Sequence, residues 1–596
     1  MGEQVKKRSE IAEEFKWNLE DMIPSKEALD ELLEEIDRGI SLYASYKGRL
    51  GSSKETLREY LLFDETMDER FSRLFSYASQ KSDEDTAVGE YQALLSKAGT
   101  LAARAAAAAA FVEPELLSIP DQTMKEFLQS EELSHYRLKL SRILAKKPHM
   151  LSEAEEQLLA RAAEMAQTAD HVFRLFNNAD LRFPRILDGN GQETEVTHAR
   201  YGTLLESADR RVRKDAFQSY YSAYTQFANT LAAAYEGNLK QACFYAKSRK
   251  YSSTRAYYLG ENEIPELVYD NLVKTVNERL PLLHRYMGLR KKALGLQKLH
   301  MYDLYVPMTA GVEKQYSYEE AKALLLEGLK PLGEEYLDLL RTGFANRWID
   351  VYENQGKRSG AYSNCTYGVH PYVLMSYDGT LNSVLTLAHE MGHSLHSWYS
   401  NHAQTFTYAD YRIFVAEVAS TCNEVLLLRY LMEKAESREE KRYLINQLLE
   451  RFRTTLYRQT MFAQFEWESH KLAWDGTPLT KETLCGLYHD LNAKYYGPDV
   501  EVDQEIDHEW ERIPHFYRPF YVYQYATGFS AATAIAGRIL AGDQKTLSGY
   551  FDFLKGGCSG TPVELLKLCG LDMEKPMVVE EALDVFETLL TEMEQA

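Results

Sequence analysis

From position 26 to 40 the chain reads KEALDELLEEIDRGI, with apolar residues returning every third or fourth place and Ser25 just ahead. That rhythm predicts an amphipathic helix whose first turn is capped by the serine hydroxyl. The same spacing predicts helices over 53–68, 123–144, 152–167 and 318–342. The tract LAARAAAAAAFV, starting at Leu101, also reads as helix; it is alanine-dominated, short and interrupted by Arg104, which argues against a membrane span. Strand-like alternation is scarce. Residues 181–198, LRFPRILDGNGQETEVTH, place Gly and Asn between two short runs and predict a hairpin. Residues 348–377, rich in Tyr, Val and Ser, predict a small sheet. The pattern is that of a mainly α protein. We expect an N-terminal helical lobe over 1–196 and a larger lobe over 197–596 that carries the chemistry, although no Pro/Gly/Ser-rich spacer marks the junction.

A chain of 596 residues exceeds what one hydrophobic core usually serves, which agrees with two lobes. Hydrophobic residues make up 45% and charged residues 26%, the profile of a globular protein in water. The formal charge of −21 disfavours phosphate backbones and anionic bilayers, so neither nucleic acid nor membrane is expected as a partner. Six scattered cysteines, with no CxxC pair, argue against a disulfide framework and fit a reducing compartment. The opening MGEQVKKRSEIAEEF lacks the apolar run of a secretory signal, and the expected location is cytoplasmic.

The chemistry concentrates in TLAHEMGHSLHS, Thr386 to Ser397. His389 and His393 are four apart, so on a helix both imidazoles face one side and can reach one zinc ion. Glu390 lies about 100° further round the helix, placed to move a proton rather than to ligate. An HExxH arises by chance in roughly a few per cent of chains this rich in histidine, so context has to support it. Zinc in a catalytic site takes three protein ligands and keeps one position open. The next helical pattern, YADYRIFVAEVASTCNEVLLLRYLMEKA, is mostly apolar along one stripe yet carries Glu417 and Glu424, seven residues apart. Carboxylates are costly there unless paired or metal-bound. We expect Glu417 as the third ligand, against a structural ion pair; Glu424 is either a carboxylate holding a histidine N–H or purely structural. His396 and Tyr399 stand where a metzincin has Gly and His, which excludes that pattern. His396 is expected to be structural or to line the cleft. Further on, IPHFYRPFYVYQYATG crowds aromatics together; Phe516, Tyr517 and Tyr523 read as core, whereas a phenol there can also donate to an oxyanion.

AHEMGHSLHS followed by FVAEVASTCNE resembles the zinc site of the thimet oligopeptidase family of metallopeptidases, in particular its oligoendopeptidase F branch. WNLEDMIPS, YGVHPYVLMSYDGT, IPHFYRPFYVYQYATGFSAA and GGCSGTPVELLKLCGLDM are similar to that branch as well, so the resemblance runs from about Trp17 to Met573. It implies a two-lobed helical zincin with a small β-sheet beside the active-site helix and a deep substrate channel. The implied activity is zinc-dependent endopeptidase cleavage of short, unstructured oligopeptides, with one Zn2+ per chain held by His389, His393 and Glu417 and with Glu390 as general base. It also implies catalytic roles for His515, Tyr521 and Tyr525; a further tyrosine of the thimet enzymes falls at Gly528 and is not carried over. The pattern alone leaves open a carboxypeptidase, a peptide-binding protein with a structural metal, and an all-helical scaffold with a chance motif. Manganese or cobalt can take the same ligand set. A sheet edge near 360–367 is expected to receive extended peptide as an added strand.

Overall fold

The computed structural model describes residues 5–309 and 314–595. Helices dominate, with three small sheets among the described residues. By compactness the chain divides into two units: Met1–Pro148, Lys314–Leu427 and Arg538–Thr561 form one, and His149–Glu313, Leu428–Gly537 and Pro562–Ala596 the other. The units are not the two consecutive stretches expected from sequence. The 196/197 junction falls inside the second unit, because the N-terminal segment packs with the segment that begins at Lys314. Trp17, Leu19, Met22 and Ile23 share a buried cluster with Tyr372 and Leu374. WNLEDMI is therefore a cover for the sheet.

In the first unit, the helices Lys26–Leu42, Lys54–Glu84 and Gly89–Ala109 enclose a core that includes Ile36, Tyr60, Leu61, Met67, Leu74 and Leu101. Ser25 caps the first of them, its hydroxyl accepting from the Ala28 amide at 3.2 Å. Two expected helices are broken. The 123–144 stretch becomes Asp121–Gln129 and Arg137–Ala145 with a 3-10 turn at Ser134–Tyr136, where the Ser130 and Ser134 hydroxyls take local carbonyls instead of continuing the helix. The 318–342 stretch splits into Tyr318–Gly328 and Glu334–Ala345, since Pro331 lacks a donor and Gly333 adopts φ 89°. The predicted sheet forms from three strands: Tyr372–Leu374 pairs in parallel with Ile349–Asp350 and antiparallel with Tyr362–Asn364. Tyr362–Asn364 is thus an edge. Behind it the buried Lys357 ammonium binds Asp350 at 2.6 Å and donates to the Met375 carbonyl at 2.7 Å, fixing the loop between the first and edge strands.

The second unit carries the predicted hairpin, with Ile186 opposite Thr194, and a short parallel pair, Leu299–His300 with Val500–Glu501, that the sequence pattern did not suggest. Its helices include Ala228–Ser248, Arg458–Trp474 and Lys481–Tyr496. Ion pairs tie elements of this unit together: Glu450 takes Arg290 at 3.0 Å and Arg453 at 2.6 Å, and Glu509 takes Arg458 at 2.6 Å. No described helix is long and apolar enough to cross a membrane.

Candidate active site

The motif histidines lie on the helix Leu381–Ala403, which Thr380 caps by accepting from the Ser383 amide. Leu385, Leu387, Ala388, Met391 and Leu395 anchor it in the interior, each at most 2% exposed. The following helix, Ile413–Lys434, runs against it at very close range. Gly392 makes that approach possible: a Cβ there would lie 2.5 Å from the Ser420 Cα and 2.8 Å from the Ala419 carbonyl oxygen. Asn423, fully buried, fastens the pair by donating to the Ala388 carbonyl at 3.1 Å and accepting from the Tyr336 hydroxyl at 2.9 Å. Sequence reasoning passed over both residues. A glycine costing about 1 kcal/mol against alanine in a helix interior was the available signal for Gly392.

This contact brings Glu417 to the two histidines. The Nε2 atoms of His389 and His393 are 3.2 Å apart, and Glu417 Oε2 lies 3.3 Å from the first and 3.5 Å from the second. Ligands held at 2.0–2.1 Å on a tetrahedral zinc are about 3.4 Å from one another. The three donors therefore already form one face of such a tetrahedron. Their side chains are 25%, 17% and 35% exposed, leaving the open face reachable. Behind His389, Glu424 Oε1 accepts from Nδ1 at 3.2 Å, which fixes the ring with Nε2 turned toward Glu417 and His393, where a metal would displace its proton. Ser420 donates to Glu417 Oε2 at 3.1 Å. Glu390 is buried next to this triangle and is not part of it.

The electrostatics describe a place that wants positive charge. Burial alone would push the His389 imidazole down, yet its hydrogen bonds to Glu417 and Glu424 lift it to about 10. Burial opposes ionisation of Glu417, but hydrogen bonds from His389 and His393 hold its carboxyl well below the usual range. Burial raises Glu390. His396 is 1% exposed and stacks on Tyr411 at 3.8 Å between ring centres, the structural alternative of the two expected for it.

The other expected site residues come together in the second unit. His515 Nε2 lies 3.4 Å from the Tyr525 hydroxyl, and the Tyr521 ring is 5.7 Å from His515 and 5.5 Å from Tyr525. Phe516 and Tyr523 are buried in the core beside them. Between them Phe520 holds a left-handed backbone, φ 56°, and its amide donates to the buried Glu466 at 2.7 Å. Burial, then the Arg518 and Arg458 charges, push His515 below its ordinary value.

Compared with known proteins, residues 203–585 match the sequence profile of Peptidase family M3, and residues 115–183 that of Oligopeptidase F. The chain belongs to peptidase family M3. It is 47% identical to Oligopeptidase PepF of Bacillus subtilis over 99% of this chain and 88% of that protein. It is 40% identical to Group B oligopeptidase PepB of Streptococcus agalactiae over 98% of both chains. The crystal structure of oligoendopeptidase-F from Enterococcus faecium superposes with a TM-score of 0.76 at 40% identity, covering 95% of this chain and 98% of that one. A Chlamydophila abortus structure reaches 0.94 at 35% identity, over 99% of both chains. Membership makes the chain a metalloendopeptidase of mainly helical zincin fold.

Proposed function

We propose that the chain hydrolyses internal bonds of short, unstructured peptides with one zinc ion bound to His389, His393 and Glu417. The observation that carries this reading is the triangle of donor atoms at 3.2, 3.3 and 3.5 Å, with a carboxylate behind one histidine. Zinc held there would supply a Lewis acid that acidifies water and polarises a carbonyl oxygen. Glu390 takes a proton from the attacking water as its oxygen bonds to the carbonyl carbon, then delivers that proton to the amine as the C–N bond breaks. Glu424 fixes the His389 tautomer throughout. Tyr525 donates to the developing oxyanion, with His515 and Tyr521 orienting its hydroxyl.

Substrate is held as an added strand on Tyr362–Asn364. An open recess of about 340 Å³ follows that edge, lined by Phe75, Ser79, Arg358, Tyr362 and Asn364 among others. Ser363 shares a 2.8 Å hydrogen bond with Ser394 on the HExxH helix, which ties the edge to the proposed metal ligands. Backbone pairing ignores side-chain identity, so tolerance should be broad and limited by length.

The test is mass spectrometry of products from mixed peptides of graded length. Internal cuts that stop with a chelator and return with added zinc are expected. Chelator-resistant cleavage, or release of C-terminal residues only, would overturn the reading.

A further inference from the structure

A second set of metal-type donors lies in the other unit, built from residues that the peptidase chemistry does not use. Cys485 projects from the helix Lys481–Tyr496, and His508 and Glu511 from the 3-10 helix Gln504–Arg512. Side chains three apart in a 3-10 helix eclipse, so His508 and Glu511 share one face. Cys485 Sγ lies 3.9 Å from His508 Nδ1, and Glu511 Oε1 lies 2.6 Å from that same nitrogen. One donor atom from each of the three residues falls within 4.8 Å of the others.

Two features separate this cluster from a plain ion pair or a nucleophile relay. A catalytic Cys–His–carboxylate relay places thiol and carboxylate on opposite ring nitrogens. Here both face Nδ1, so the donors cluster rather than line up, and the 2.6 Å His508–Glu511 contact would open toward ligand spacing as a cation replaces the shared proton. The second feature is Glu511 itself, which is 2% exposed and whose Oε2 has no hydrogen-bond partner among the described residues. Its neighbour Glu509 shows what a structural carboxylate needs in this segment: it takes Arg458 at 2.6 Å, Arg512 at 2.7 Å and the Tyr488 hydroxyl at 2.5 Å. A buried carboxylate oxygen left unsatisfied is costly until a proton or a cation completes it, and beside Cys485 and His508 a cation finds two further donors.

We infer that Cys485, His508 and Glu511 form a second cation site, selective for a borderline divalent ion of the zinc class. Sulfur, imidazole and carboxylate together suit zinc or cobalt and disfavour calcium and magnesium, which take oxygen donors. Cys485 and His508 are part-exposed, which gives an entry path and leaves room for a water as fourth ligand. A cation there would clip the helix Lys481–Tyr496 to the segment that leads directly into His515.

Cobalt titration of the full-length, chelator-stripped chain tests this, because a thiolate ligand gives cobalt(II) a near-ultraviolet charge-transfer band that the His–His–Glu site cannot produce. Wild type should bind two equivalents and develop the band with one of them. Cys485→Ser should lose the band and one equivalent, and His389→Ala should lose one equivalent and keep the band. Glu511→Gln should weaken the thiolate site on the order of tenfold or more. His508→Gln, checked for folding by circular dichroism, provides a second loss-of-band variant. Absence of the band in wild type at saturating cobalt, or its persistence in Cys485→Ser, would overturn the inference whatever happens at the peptidase site.

Discussion

Replacing Gly392 by alanine adds one methyl group, yet it should cost the chain much of its grip on zinc. The new Cβ would sit 2.5 Å from the Ser420 Cα and 2.8 Å from the Ser420 nitrogen, where ordinary contact begins at 3.4 Å. The shortfall is about 0.9 Å, and the atoms it meets are backbone, which no rotamer change relieves. The helices must part, and Ser420 is one turn from Glu417. Metal–ligand distances hold to within about 0.2 Å, so a displacement several times larger breaks the triangle. Alanine would gain up to about 1 kcal/mol in helix propensity, set against about 1–3 kcal/mol of overpacking. We expect zinc affinity to fall on the order of 10–100-fold, the loss seen when groups that orient ligands are removed. Chelator-competition titration measures this, alongside thermal unfolding. Gly99→Ala is the control: Gly99 lies in the helix Gly89–Ala109, and a methyl group there would meet nothing within 4 Å, so that variant should be neutral or slightly stabilised. Zinc affinity within twofold of wild type in Gly392→Ala, with a melting temperature raised like that of Gly99→Ala, would refute the close-approach reasoning.

Glu390→Gln should keep its zinc and lose turnover by about 10²–10⁴-fold; full activity would remove Glu390 as the base. Tyr525→Phe should slow kcat by about 10²–10³-fold, equivalent to about 2.7–4 kcal/mol, with zinc content unchanged by elemental analysis. Glu424→Ala, which frees the His389 Nδ1 side, should lower zinc affinity by about 10–100-fold in the same competition titration. For acid stability, burial pushes His470 down to about 3, whereas an unfolded histidine titrates near 6.5. Its folded value lies below the unfolded one, so its contribution is whole above about pH 6.5 and declines as pH falls toward 3, by at most about 1.4 kcal/mol per pH unit. Urea unfolding between pH 6.5 and 5 should show a slope shallower by up to one proton in His470→Leu. Glu466, one turn earlier, acts with opposite sign: burial lifts it to about 8, and its contribution is lost as pH rises through that value.

The site was legible where chemistry forces residue type. A four-residue histidine spacing has few uses, and a glutamate on an otherwise apolar stripe needs a partner, so Glu417 and Glu424 stand out from the pattern alone. Gly392 and Asn423 do not, because their meaning lies in what the neighbouring helix brings up against them. The small sheet and the hairpin were visible in composition and turn residues. The helix breaks at Ser130 and Pro331 were passed over because apolar periodicity was weighed above the local turn chemistry. The parallel pair of Leu299–His300 with Val500–Glu501 joins segments about two hundred residues apart, which no local pattern reports. The compact units depart from chain order for the same reason: the Trp17 cluster reaches the strand Tyr372–Leu374 across most of the first four hundred positions.

That interleaving bears on when, during biosynthesis, the enzyme can become active. The first unit includes Arg538–Thr561, which supplies Phe553 beside His396, Phe551 beside Tyr399 and the Lys555 carbonyl that Gln404 binds. When the histidine helix leaves the ribosome, these groups have not yet been translated. At about 5–20 residues per second the gap lasts on the order of ten seconds, during which the part of the helix that meets Phe551 and Phe553 lacks that cover, while Tyr336 and Trp348 already lie against it. Packing of the first unit is therefore completed only once Thr561 has emerged, after its N-terminal helices are already in place to form their own core.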